Sequence, residues 1–134
     1  MNRILICARG YPPDVAGGGE ISTELIARGL KQLGADVHVL TFTQQESRVD
    51  HVNGVQIHRL KCPNIYWSIL ASEQPPWKKL AWHLSQSFRL TPPLSIRQAI
   101  EGIQPSILHS STIEDFGPGL WRWAKSQGLV TVHS

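Results

Sequence analysis

The chain has 134 residues, 41% of them apolar and 17% charged, with 13 basic against 10 acidic side chains and a formal net charge of +3. A chain of this length and composition buries a real core, which excludes disorder, and its mild basic excess, spread along the sequence, suits anionic ligands but falls short of a nucleic-acid footprint. Cys7 and Cys62 stand apart without a C-x-x-C pair, which excludes a disulfide scaffold or a zinc site and points to a reducing compartment, the cytoplasm.

Arg3 is followed by too short an apolar run for a signal peptide, and no stretch is long and apolar enough to span a membrane, so neither export nor a spanning helix is expected. The run Ile4-Leu5-Ile6-Cys7-Ala8 is continuously apolar rather than alternating. It reads as a central strand over residues 3–8, covered on both faces. Arg9 to Asp14, with Pro12 and Pro13, is a loop.

Ala16-Gly17-Gly18-Gly19-Glu20 then opens an amphipathic segment that ends at Gly34, giving strand, glycine loop, helix. Two readings stand side by side. Three glycines at a helix N-terminus let a phosphate or carboxylate approach the backbone, where free N–H groups and the helix dipole favour an anion. Alternatively, they only permit a sharp turn and tight packing of helix on strand. Glu20 reads more readily as a first-turn acid that offsets the dipole than as a catalyst. The helix predicted over 20–33 sets Ile21, Leu25, Ile26, Gly29, Leu30 and Leu33 on the core side, and Gly29 predicts a close helix-to-sheet contact.

Residues 36–42 form a second strand, parallel to the first. Segments 49–52 and 55–60 flank Asn53-Gly54, the pair favoured by two-residue type I′ turns, and predict an edge hairpin with His51 and His58 on its solvated side. Residues 61–76 read as a loop whose apolar side chains, Ile65, Tyr66, Trp67, Ile69 and Leu70, need cover. A helix over 77–90 places Trp77, Leu80, Ala81, Leu84 and Phe88 on one face. A helix over 94–103, a strand over 106–110, a helix over 116–127 and a strand over 129–133 complete the chain.

The fold class is therefore α/β: a Rossmann-like parallel sheet with helices on both faces and an edge β-hairpin, in one domain over 1–134. Ligands of such sheets bind beyond the carboxyl ends of the strands at the switch point. The Gly17–Gly19 loop, residues 110–112 and His133 are expected to line one crevice there. G-x-G-x-x-G fails because Ser22 stands where the third glycine belongs, and neither a P-loop nor a G-x-S-x-G elbow is present. The histidines show no metal spacing. His109 and His133 each end a predicted strand, where a general acid/base or a hydrogen-bond donor to substrate would sit, though a satisfied structural histidine reads equally well at either place alone.

Tyr11-Pro12-Pro13, Gly17-Gly18-x-Glu20, Leu30-Lys31-Gln32-Leu33-Gly34, Val37-x-Val39-x-Thr41, Asn53-Gly54-Val55-x-Ile57-x-Arg59 and Ile107-Leu108-His109, in this order and spacing, resemble the N-terminal domain of family 4 glycosyltransferases. The resemblance spans nearly the whole chain. It implies half of a GT-B enzyme, in which this acceptor-side domain faces a C-terminal domain that holds a nucleotide-sugar, with anomeric configuration retained and no metal or other cofactor required. On the resemblance, Gly17 and Gly18 match glycines that approach the donor phosphates and sugar. Glu20 matches the acid that follows them, and His133 matches a histidine lining the cleft. Relatives often end the third parallel strand with His-x-His; here His109 matches the first and Ser111 stands at the second. The family's E-x7-E carboxylates have no match, so the donor half is expected to lie outside these residues and this segment to transfer no sugar alone.

The expected partners are a nucleotide-sugar, a glycan, lipid-linked or small-molecule acceptor, the missing donor domain, and no nucleic acid. Trp77, Lys78, Lys79 and Trp82 on the 77–90 helix suggest peripheral contact with the inner membrane face. The rival reading is a non-enzymatic α/β binding or response module whose glycine loop is only a turn. The last strand, an open edge with unpaired backbone groups, is expected to pair with another chain unless covered.

Overall fold

The computed structural model describes residues 2–64, 67–87, 92–111, 115–117 and 119–133. Among these, six strands form one sheet in the order β3-β4-β2-β1-β5-β6. They are β1 (Arg3–Cys7), β2 (Asp36–Thr43), β3 (Arg48–Val52), β4 (Val55–Lys61), β5 (Ile107–Ser110) and β6 (Val130–His133). Every neighbouring pair is parallel except the β3–β4 hairpin. Asn53 and Gly54 both have positive φ, as a type I′ turn requires. β1 is interior, and successive parallel strands are added first on its β2 side and then on its β5 side. The strand order therefore reverses between β1 and β5.

Alternation along β1 divides the core. Leu5 and Cys7 face a cluster with Leu40, Phe42, Ile96, Ile100, Leu108, Phe116, Leu120 and Trp123, under α3 (Leu94–Ile103) and α4 (Leu120–Ser126). Ile6 faces the other way, with Val37, Val39, Ile57 and Ala27, under α1 (Gly18–Gln32). Both faces are thus covered at the middle of the sheet, which is why β1 is a continuous apolar run.

The structure turns α1 relative to the face expected from its apolar residues. Glu20, Thr23 and Ala27 point inward and are buried, with Ile26 and Leu30 packed beside them. Ile21, Leu33 and Leu25, the last 60% exposed, point out. The 20–23–27–30 arc is as regular a helical face as the apolar one, and the buried polar partners of Glu20 and Thr23 select it. Nothing lies within 4 Å of a Cβ built on Gly29, so no close helix-to-sheet contact occurs there.

The segment read as a loop holds a short 3-10 helix, Ser68–Glu73, and α2 (Pro76–Ser87) follows. Trp67 is buried, and Ile69 and Leu70 pack on the α3–α4 cluster, so these side chains cap the core rather than needing a cap. In α2, Trp77 is 67% exposed and Leu80 and Leu84 are also exposed, whereas Trp82 and Gln86 are buried. Trp82 therefore cannot join Trp77 and Lys79 in a membrane-facing surface. Phe88, like Ile65 and Tyr66, lies outside the described residues. The last helix is shorter than expected: Phe116 precedes it and packs on Phe42, with ring centroids 4.8 Å apart. No helix among the described residues is long and apolar enough to cross a membrane.

Candidate functional site

At the carboxyl ends of β1 and β5, beside the start of α1, lies a cavity of about 220 Å³ lined by Ala8, Arg9, Gly10, Gly19, Glu20, Ser22, Thr23, Ile26 and Ser111. It occupies the position that strand order dictates for ligands of this architecture. Glu20 is 3% exposed and uses both carboxylate oxygens. Arg9 Nε donates to Oε1 and the Gly17 N–H to Oε2, each at 2.9 Å. Burial alone pushes the Glu20 carboxyl up, but hydrogen bonds from its own N–H, Arg9 and Gly17 outweigh burial and hold it below its usual range. Glu20 is thus a charged strut that fixes the glycine loop and the Arg9 side chain.

Two kinds of glycine meet here. A Cβ on Gly10 would sit 2.9 Å from the Asp14 carbonyl and crowd Ile69 and Glu20, so packing demands a glycine there. At Gly17, Gly18 and Gly19 a Cβ would meet nothing within 4 Å. Gly17, the N-cap, has extended backbone that any residue adopts. Helix geometry leaves the first-turn N–H groups without intrahelical partners, so this open surface carries donors and a dipole suited to an anion. Thr23 Oγ1 donates to the Gly19 carbonyl at 2.9 Å and lies 3.0 Å from Ser111 Oγ, which links the loop to the end of β5.

The structure brings Gly19, Glu20 and Ser111 together in the cavity; Gly17 and Gly18, which precede Gly19 in the chain, are not among its lining residues. It does not bring His109 and His133 there. Ser110 pairs with His133 and His109 with Val132, so the two imidazoles leave opposite faces of the sheet. His133 Nδ1 lies 2.9 Å from Ser110 Oγ, which also accepts from Trp121 Nε1 at 2.8 Å, and the His133 and Trp121 rings meet edge to face. His109 is half-buried on the α1 face, and its Nε2 has no hydrogen-bond partner among the described residues. Burial, then the nearby His133, lowers its pKa and favours the neutral ring.

Arg9 and Thr23 were missed from sequence, although Arg9 directly follows the apolar strand and Thr23 lies on the Ala27 face of the helix. Arg59 was missed as a support of the site. Its guanidinium is 2% exposed and donates to Asp50 (2.8 Å), the Pro12 carbonyl (2.8 Å), the Tyr11 carbonyl (3.3 Å) and Asp14 (3.4 Å). It ties the loop after β1 to β4.

The amino end of the sheet holds a second polar cluster. Arg3 Nε donates to Asp36 (2.7 Å), and Asp36 accepts from His38 Nε2 (3.2 Å). His38 Nδ1 is then the acceptor for His58 Nε2, at 2.9 Å. His58 is half-buried in this chain of bonds rather than solvated, while His51 is exposed. Burial is the largest influence lowering the pKa of both His38 and His58. No group of three or more His, Cys, Asp or Glu among the described residues is placed to hold a metal ion.

The chain is 29% identical, over its whole length, to an "Uncharacterized 42.6 kDa protein in cps region" of Klebsiella pneumoniae, and spans 36% of that protein. The sequence profile described as Glycosyltransferase Family 4 matches residues 16–134. With the parallel sheet, the glycine loop at the switch point and this match over most of its length, the chain belongs to glycosyltransferase family 4.

Proposed function

We propose that this chain is the acceptor-side half of a GT-B enzyme that moves a sugar from a nucleotide-sugar to a glycan, lipid-linked or small-molecule acceptor, retaining anomeric configuration without a metal ion. The observation that carries the reading is the openness of Gly17, Gly18 and Gly19 at the start of a 15-residue helix above the β1–β5 switch point. Their packing leaves the absence of side chains unexplained, whereas a ligand that must reach the backbone explains it. The loop then faces the negative charge that develops on the departing nucleoside diphosphate, held ready by Glu20 and Arg9 so that no reorganisation is needed during transfer. Polysaccharide synthesis is the setting that the cps-region relative supports, and the cytoplasm is the compartment proposed for it.

The test is Gly18→Val in the full-length protein. A branched side chain on the open surface is expected to reduce transfer by about a hundredfold or more, the scale of losing an oriented donor group, with the circular dichroism spectrum unchanged. Wild-type turnover by the folded variant removes the reading. A peripheral membrane position belongs to the same proposal, through the exposed Trp77, Leu80 and Leu84 ridge of α2. Sedimentation with anionic vesicles is expected to weaken in a Trp77→Ala, Leu80→Ala, Lys79→Glu variant, and unchanged sedimentation refutes it.

A further inference from the structure

The carboxyl ends of β2 and β4 open into a second cavity, of about 360 Å³, lined by Thr43, Gln44, Lys61, Cys62, Asn64, Trp67, Leu70, Gln74 and Lys78. We infer that this cavity is the acceptor subsite of the transferase proposed above, and that it selects an acceptor carrying a carboxylate or phosphate close to the accepting hydroxyl. The inference rests on that reading and adds the acceptor's charge to it.

Composition is the first argument. Two lysines and no carboxylate stand among the described lining residues. Lys61 comes from the last residue of β4 and Lys78 from the first turn of α2, so the positive end of the α2 dipole adds to them. The nearest competitor is Glu46, whose carboxylate lies 3.6 Å from Lys61 Nζ, but both side chains are exposed and such a pair yields readily to a ligand. Lys78 Nζ rests 5.7 Å from the Trp77 ring, which orders its stem without neutralising it. Thr43, Gln44 and Gln74 supply hydroxyl and amide groups, and Trp67 and Leu70 an apolar wall, the mixture that a sugar ring with polar edges and an apolar face requires.

Rigidity and position are the second. Asn64 Nδ2 donates to the Asp115 carbonyl (2.9 Å) and carboxylate (3.0 Å), and Asn64 Oδ1 accepts from Gln86 (3.2 Å). Asp115, fully buried, also accepts from the Ser68 N–H at 2.9 Å. The wall is therefore fastened to α2, to the 3-10 helix and to the segment after β5 at once. Trp67 joins the two cavities: it lines this one, and its Nε1 donates to the carbonyl of Arg9, a residue that lines the other. β4 lies two strand spacings from β1, about 10 Å, the reach of one or two sugar units.

Binding is measured on the full-length protein with glucuronic acid, glucose 1-phosphate and the neutral methyl glucoside, alongside uridine diphosphate as the donor-side probe. The two anionic probes are expected to bind better than the neutral one by about fivefold per lysine, the scale of a half-exposed ion pair, and the preference should shrink as salt rises. Lys61→Gln and Lys78→Gln should each remove part of the preference and together all of it, with the affinity for uridine diphosphate unchanged. Phosphatidylcholine vesicles containing farnesyl diphosphate show whether a lipid-borne phosphate is favoured over the soluble probes in the same lysine-dependent way. Equal binding of charged and neutral probes, or a preference that survives the double substitution, overturns the inference while uridine diphosphate still binds. Failure of uridine diphosphate, and of guanosine and adenosine diphosphates tried in its place, to bind the wild type removes the transferase reading instead.

Discussion

The two ends of the sheet are both rich in polar side chains, yet they are built to opposite rules. At the amino end Arg3, Asp36, His38 and His58 form a closed chain in which each group meets its neighbour at 3.2 Å or less. At the carboxyl end Glu20 is closed in the same way, but only to hold open what surrounds it: three glycines with empty space above them and, across Trp67, a cavity with two lysines and no described acid. Arg3, Asp36, His38 and His58 also border a cavity, of about 430 Å³, so open space alone does not separate the two ends; the difference is that these four side chains are already bonded to one another. The comparison, with the rule that ligands of such sheets bind beyond the carboxyl ends of the strands, supports the site proposed there.

Arg59 offers the largest test of that contrast, because it supports the carboxyl end from beneath. Arg59→Met removes the buried guanidinium from the Tyr11 and Pro12 carbonyls and from the part-exposed Asp50 and Asp14, and is expected to cost about 2–4 kcal/mol of stability, the scale of losing several hydrogen bonds from a charged group. Denaturant unfolding measures it, and a loss within the range of a surface substitution would show that the clamp is dispensable. Glu20→Gln keeps the shape but removes the charge that holds Arg9 and the Gly17 N–H. A loss of about 1–3 kcal/mol is expected, with a fall in transfer beyond what lost folded protein explains. Stability loss with unchanged specific activity would make the strut purely architectural.

The smallest effect belongs to the amino end and is read against pH. Burial holds the pKa values of His38 and His58 below the ordinary value of about 6.5, so the unfolded chain takes up protons more readily than the folded one. Their contribution is therefore complete above about pH 6.5 and declines as pH falls through the lowered folded values. The melting temperature should drop on acidification, and a His38→Gln, His58→Gln variant should drop less over the same range. An unaltered acid slope in that variant would assign the effect elsewhere, and a loss of transfer at neutral pH would break the division between the two ends.

Much of this was legible from local order alone. The strands, the Asn53-Gly54 hairpin at an edge and the glycine loop before a helix are short-range signals, each set by neighbouring residues. The placement of Gly19, Glu20 and Ser111 in one cavity follows from them, since a parallel sheet gathers its loops at the carboxyl ends. The orientation of helices was less legible. Ile21 and Leu25 on α1, and Trp77 and Leu80 on α2, are apolar residues at helical spacing that the fold turns outward. Hydrophobic periodicity reports how wide an apolar face is, but not whether buried hydrogen bonds on an adjacent face, such as those of Glu20 and Thr23, take precedence.

What the amino-acid order determined by itself is therefore the alternation of strands and helices, the run of glycines before a helix and the family pattern, all consequences of propensity, turn chemistry and spacing within a few residues, whereas the open space over those glycines is a property of the fold. Only the tertiary structure decided that His109 and His133 leave opposite faces of the sheet, because that depends on the β5–β6 register, and a shift of one residue would reverse it. Only the tertiary structure decided, too, that Arg59 reaches back to Tyr11, Pro12 and Asp14, and that Lys61 and Lys78 meet around one cavity. These partners lie far apart in the chain, and no local signal encodes a meeting that only the assembled sheet and its covering helices bring about.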